Sequence, residues 1–109
     1  MPLDDGAIDM RDEWLCGLHA WASSNNSVRE LWLFGSRADG SSRPDSDVDV
    51  AIALMRATDN TDWALGTYFA LHSVWKQQLE AIVGCHVSLE AILPDTPRRG
   101  RWVLLWTRD

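Results

Sequence analysis

The strongest restriction on the fold comes from an apolar run that carries two aspartates one residue apart. The run is Asp47-Val48-Asp49-Val50-Ala51-Ile52-Ala53-Leu54. Alternate side chains of a strand share a face, so the spacing predicts a half-buried strand. Its core-facing residues would be Val48, Val50, Ile52 and Leu54. The two carboxylates then lie side by side and repel each other unless a cation is present, which makes Asp47 and Asp49 candidate ligands of a hard divalent ion.

Apolar residues spaced as on one face of a helix predict two helices. The first covers about residues 9–22, with Asp9 as its N-cap. Its apolar stripe contains Trp14, Leu15, Leu18, Trp21 and Ala22. The second covers about residues 62–83 and stops at Gly84. Its stripe contains Leu71, Trp75, Leu79 and Ile82.

Three further strands are predicted, over residues 28–34, 85–93 and 101–107. For the last of these a short helix stays open, because a brief apolar run does not settle its own period. The chain is expected to be a single domain over residues 1–109, with residues 1–8 as a flexible lead-in. The order of the elements predicts an α+β fold in which helices cover a small mixed β-sheet.

The charge balance restricts the class of partner. A net charge of −6 argues against broad nucleic-acid binding, which draws its affinity from Lys and Arg at phosphates. A small anionic substrate bridged by a metal ion is compatible with that charge. No apolar run is long enough to span a membrane and no signal peptide is evident, so we expect a cytoplasmic protein. Seven tryptophans are an unusual number, and we expect some to lie at a contact surface, with self-association left open.

A Gly35-Ser36 pair precedes the polar loop that leads into the aspartate strand. Gly35 permits a tight turn and close approach of a ligand, while Ser36 offers a hydroxyl and an N–H to a phosphate oxygen. Arg37 and Arg43 are candidates for contact with a triphosphate, with ordinary surface exposure equally open. If the strands on either side of the loop pair, phosphates, metal and carboxylates would meet at one sheet edge. That arrangement suits nucleotide transfer.

A site with two metal ions generally needs a third acid. Glu90 is the best candidate, because its face matches that of Asp47 and Asp49 if the two strands are neighbours. These three residues are the predicted catalytic and metal-binding set. A solvent-facing position for Glu90 stays open, and Glu80 on the long helix is the weaker candidate.

Competing sites can be excluded from the same residues. An EF-hand would need glycine where Val50 stands and glutamate where Arg56 stands. A Walker A lysine and a Gly-x-Gly-x-x-Gly run are both missing from the sequence. Three single histidines lack a nucleophile with a matching partner and are interpreted as structural or exposed. They are His19, His72 and His86.

The combined pattern of Gly35-Ser36, the ten residues 37–46, and Asp47-Val48-Asp49 resembles the signature of the minimal nucleotidyltransferase family in the DNA polymerase β superfamily. The resemblance implies a nucleotidyltransferase fold, ATP as substrate with Mg²⁺, Ser36 at the phosphates, and Asp47 and Asp49 as metal ligands. One departure is Ser88, which stands where members of the family usually carry their third acid.

The resemblance also implies an activity and a partner. Small members commonly act as antitoxins that adenylylate a tyrosine on a partner toxin of the HEPN type, so we expect AMP transfer from ATP to a hydroxyl of such a partner. Two alternatives stay open. One is a nucleotidyltransferase subunit that acts on a small molecule such as an antibiotic. The other is an inactive pseudoenzyme that binds its partner through exposed tryptophans.

Overall fold

The computed structural model describes residues 10–40, 42–43, 46–55, 61–92 and 100–108, with the main chain alone described for residues 61–67. These residues form three helices and four strands. In chain order they are α1 (Asp12–Ser24), β1 (Val28–Phe34), α2 (Ser36–Asp39), β2 (Val48–Leu54), α3 (Thr61–Val83), β3 (Val87–Ala91) and β4 (Val103–Thr107). Among the described helices, none is long and apolar enough to cross a membrane.

The four strands form one mixed sheet in the order β3-β2-β1-β4. Strand β1 is antiparallel to both β2 and β4, while β2 is parallel to β3. A parallel pair needs a crossover connection, and here α3 supplies it. The predicted α+β fold with a small mixed sheet is confirmed, and residues 103–107 are a strand, not a short helix.

The core lies between the sheet and helices α1 and α3. It includes Leu18 and Ala22 from α1, Leu31 and Leu33 from β1, and Trp75 and Leu79 from α3. Of the predicted core residues of β2, Val48, Val50 and Ile52 are fully buried and Leu54 is partly exposed. The opposite face of β2 carries Asp49. Ala51 and Ala53, on the face that carries Asp49, are buried as well, so β2 is more deeply buried than the predicted half-buried strand. Asp49 itself lies on the face opposite to Val48 and Val50, away from the two long helices.

The apolar stripe of α3 differs from the prediction at its N-terminal half. Trp75 and Leu79 are buried as predicted, but Leu71 is 37% exposed. Tyr68 takes the buried position instead, because its hydroxyl donates a hydrogen bond to the carbonyl of Leu89 (3.1 Å). The ring of His72 contacts the same carbonyl at 3.2 Å. These contacts with β3 turn the face of Tyr68 and His72 toward the sheet.

The start of α1 and the loop between β1 and β2 also differ from expectation. Helix α1 begins with Arg11 in the N-cap position and without a side-chain cap, whereas the predicted cap Asp9 and the lead-in of residues 1–8 lie outside the described residues. The loop that follows β1 contains the short helix α2, which the sequence did not predict. Gly40 ends α2 in the left-handed conformation, with a φ of 89°.

Candidate active site

The turn after β1 lies against the carboxylate of Asp49. Phe34, the last residue of β1, pairs with Asp49 across the antiparallel ladder, so that Gly35 follows at the level of that carboxylate. Gly35 has a φ of 75°, and a β-carbon there would collide with Oδ2 of Asp49 and stand 2.9 Å from its Cγ. The pairing of the two strands and the approach of Gly35 to Asp49 are as predicted.

Arg37 fixes the loop between these strands. Its side chain is 3% exposed, and its guanidinium donates from Nε (3.1 Å) and Nη2 (2.8 Å) to the carbonyl of Ser46. The guanidinium carbon also lies 5.3 Å from the centre of the Trp14 ring. The contacts seen here are therefore structural, since they hold the residue just before Asp47 in place. A contact of Arg37 with a nucleotide stays a prediction.

The end of the loop is closed by a second contact. The Ser46 hydroxyl accepts a hydrogen bond from the main-chain N–H of Arg43 at 2.7 Å. The Arg43 side chain is exposed. It is thus accessible to an anion, but its contact with a triphosphate also stays a prediction.

Asp47 has a neighbour that the sequence interpretation missed. Oδ2 of Asp47 lies 3.2 Å from Nδ1 of His86, and both side chains are more than half exposed. The main chains are joined as well, because the N–H of Val48 donates to the carbonyl of His86 (2.9 Å). The signal for this pair is the parallel register of β2 and β3, which starts at Val48 and Val87. A histidine one position before β3 must then lie beside Asp47.

A chain of polar contacts extends from His86 to α3. Nε2 of His86 lies 3.5 Å from Nζ of Lys76, and that ammonium pairs with Glu80 at 2.8 Å. Glu80 also accepts a hydrogen bond from the main-chain N–H of Val87 (3.0 Å). These hydrogen bonds and the Lys76 charge hold the pKa of Glu80 below its ordinary value. Glu80, the weaker candidate for a third acid, is thus committed to tying α3 to β3.

The electrostatic environment of Asp49 favours a cation. Burial raises the pKa of the half-buried Asp49 carboxyl above its ordinary value, and the nearby charges of Asp47 and Glu90 raise it further. A hydrogen bond with the Ser88 side chain and the proximity of His86 oppose that rise only in part. A carboxylate held under such repulsion gains stability when a positive ion approaches.

The position beside Asp49 on β3 belongs to Ser88, not to an acid. In the parallel register Asp49 pairs with Ser88, and Ala51 pairs with Glu90. Glu90 therefore lies on the predicted face, but two residues further along the strand, and it is exposed. In the part of the chain that the structure describes, no group of three or more His, Cys, Asp or Glu side chains could hold a metal ion. The structure thus brings Asp49 to Gly35, with Asp47 two residues before it in the chain, without adding Glu90 to a three-ligand cluster.

Comparison with known protein families agrees with this arrangement. A family model described as "Polymerase beta, Nucleotidyltransferase" matches residues 18–93. The matched segment runs from α1 to just past β3 and contains all the site residues described above. No curated protein and no solved structure matches this chain at a significant level.

Proposed function

Because this chain belongs to the polymerase β family of nucleotidyltransferases, we propose that it transfers AMP from ATP to a hydroxyl group in a magnesium-dependent reaction. The hydroxyl oxygen would form a bond to the α-phosphorus as the bond to pyrophosphate breaks, and pyrophosphate and the hydroxyl proton would leave. The observation that carries the proposal is the contact between the main chain at Gly35 and the carboxylate of Asp49. It joins the turn suited to phosphate with the Asp49 carboxylate at one end of the two central strands, β1 and β2. A triphosphate at the turn would then lie within reach of a cation at the aspartates.

The residues present fit a divalent ion. Asp47 and Asp49 would hold it, and the pKa of Asp49 is raised first by burial and then by the neighbouring charges of Asp47 and Glu90, which a positive ion would offset. A magnesium ion in this position would neutralise triphosphate charge and activate the incoming hydroxyl. The chain itself would hold a phosphate oxygen with the N–H and hydroxyl of Ser36. Ser88 orients the Asp49 carboxylate through its hydrogen bond, and Arg37 holds the loop.

In this proposal the acceptor is a tyrosine of a HEPN-type partner protein, which would make the chain the antitoxin of a pair. An exposed apolar surface on α3 supports a protein acceptor over a small molecule. Phe69 is 70% exposed and Val74 is 48% exposed. Among the described side chains of α3, residues 68–83, the acidic and basic ones are Lys76 and Glu80, which pair with each other, and His72.

An inactive partner-binding module is the second candidate. The observation that favours it is Ser88 in the position beside Asp49, since a serine hydroxyl is a much weaker metal ligand than a carboxylate. A pseudoenzyme of this kind would keep the fold and the partner surface, and it would transfer no nucleotide.

One experiment separates the candidates. The protein is mixed with ATP, Mg²⁺ and the product of any adjacent gene, with or without EDTA in the reaction, and intact masses are measured. We expect one AMP on the partner protein with the wild type, and none with Asp49→Asn or Asp47→Asn. A label on a small molecule instead would identify a small-molecule acceptor. A stable complex without any label would establish the pseudoenzyme and refute the transfer reaction.

A further inference from the structure

Two aromatic rings form a stack at the end of β1. The rings of Phe34 and Trp102 are 4.8 Å apart between centroids, with an interplanar angle of 16°. Both side chains are partly exposed. Near-parallel stacking at this distance is a favourable aromatic geometry, which gives the pair a defined, flat surface.

This stack borders the acidic pair. Phe34 and Asp49 are direct cross-strand partners, and side chains of directly opposed residues lie on the same face, about 4.5–5.5 Å apart at Cβ. Gly35 follows Phe34 directly in the chain. The aromatic surface, the turn suited to phosphate and the Asp49 carboxylate are therefore contiguous.

The surroundings of Asp49 differ on its two sides. Toward β3 the neighbours are polar and include Ser88. Toward β1 and β4 they are aromatic or apolar: Trp32 lies on the same face two residues before Phe34, and Leu104, which pairs with Trp32, is 44% exposed. A ligand seated over Asp49 would thus meet polar groups at one end and flat apolar surface at the other.

A nucleoside triphosphate likewise has a polar end and a flat, less polar end, which match the two sides of Asp49. Its charged phosphates are separated from a flat base by a single sugar. If the phosphates bind beside Asp49, the base must therefore lie no further from that carboxylate than the length of one nucleoside. We propose that the Phe34–Trp102 stack binds the base of the substrate nucleotide. This assignment rests on the proposed function, because it takes the phosphates to lie at Gly35 and the aspartates. Stacking on an aromatic ring accepts any base, so ATP and GTP should bind with similar affinity.

The test compares a ligand that has a base with one that has none. Calorimetry in Mg²⁺ measures the Kd of ATP and of inorganic triphosphate for the wild type, Trp102→Ala and Trp102→Phe. We expect Trp102→Ala to weaken ATP binding by at least about tenfold, the order of one lost stacking contact. The same variant should bind inorganic triphosphate as the wild type does, and Trp102→Phe should retain ATP affinity. Met55→Ala removes an exposed apolar side chain just after the far end of β2, away from Asp49, and is the matched control, with both affinities unchanged.

The outcomes distinguish this assignment from the proposed function. If the wild type binds neither ligand in Mg²⁺, the nucleotide site itself is refuted, and the base assignment falls with it. If the wild type binds both ligands but Trp102→Ala binds ATP normally, the base assignment alone is overturned. Equal weakening of both ligands would show that Trp102 supports the site as a whole, which also overturns it.

Discussion

The main chain of Gly35 and the carboxylate of Asp49 occupy adjoining space, with no room for a β-carbon between them. The conformation of Gly35, with φ 75° and ψ −158°, belongs to a region that only glycine enters readily. The turn and the acidic strand can therefore meet only because this position has no side chain.

Replacement of Gly35 by alanine should abolish magnesium-dependent ATP binding. The added methyl group must displace the Asp49 carboxylate or the turn, and it also imposes an unfavourable backbone conformation. Gly40→Ala is the control, because Gly40 has a φ of 89° but no atom within 4 Å of an added β-carbon. We expect Gly40→Ala to cost about 1–2 kcal/mol of stability and to keep ATP binding. Calorimetry that found equal ATP affinity in Gly35→Ala and the wild type would contradict the site.

Asp49→Asn should stabilise the metal-free protein at neutral pH. The folded state raises the pKa of Asp49 above 3.8, so ionisation of this group opposes folding. That penalty is absent below about pH 3.8, where the carboxyl is protonated in both states, and it grows as the pH rises through the raised folded pKa. Thermal unfolding in EDTA should therefore show a higher Tm for Asp49→Asn at pH 7, and the difference should vanish in acid. A lower Tm for the variant at pH 7 would be the opposite of this prediction.

Arg37→Lys should lower the free energy of unfolding by about 1–3 kcal/mol, because lysine cannot donate two hydrogen bonds in a fork to Ser46 while lying flat on Trp14. Arg43→Lys is the matched control on the same loop. It is exposed and should change stability little. Urea denaturation of both variants measures the difference. Weaker ATP binding by Arg37→Lys at unchanged stability would instead identify Arg37 as a phosphate ligand.

Glu90→Gln should weaken magnesium-dependent ATP binding less than Asp49→Asn does. Glu90 lies two residues beyond the partner of Asp49 on β3, a displacement of about 7 Å along the strand. Titration of each variant with ATP at fixed Mg²⁺ gives the comparison. If both variants lose affinity equally, Glu90 is a metal ligand as the sequence first indicated.

Ser88→Asp should increase the affinity for Mg²⁺. An aspartate here would place a further carboxylate directly beside Asp49 in the register of β2 and β3. The same change should lower the Tm of the metal-free protein, because it adds a like charge to the site. Thermal unfolding with and without Mg²⁺ measures both effects, and a Tm that does not respond to Mg²⁺ would contradict the prediction.

The parts of the site that the sequence predicted are those that depend on local pattern. The period of two in β2 places Asp49 opposite to the core, and the order of strand, polar loop and strand suggested that β1 and β2 could pair, as their antiparallel ladder shows they do. Both inferences need only neighbouring residues. For this reason the small mixed sheet and the approach of Gly35 to Asp49 could be predicted from the sequence.

The parts that were missed depend on contacts between distant segments. His86 joins Asp47 only through the parallel register of β2 and β3, which no local pattern reveals. Arg37 is buried because α1 brings Trp14 over its guanidinium, and a loop arginine in a sequence shows no sign of that neighbour. Leu71 is exposed because the contacts of Tyr68 with β3 decide which face of α3 is turned inward.

Helix α3, 23 residues long, separates the strands that carry Asp49 and Ser88. These two side chains can meet only after the helix has crossed the sheet and β3 has docked in parallel. Such distant pairings form late, because the chain must first close a large loop. A nascent or partly folded chain would therefore have Gly35 and Asp49 already neighbours, whereas Ser88 would reach the Asp49 carboxylate only once the crossover through α3 was complete.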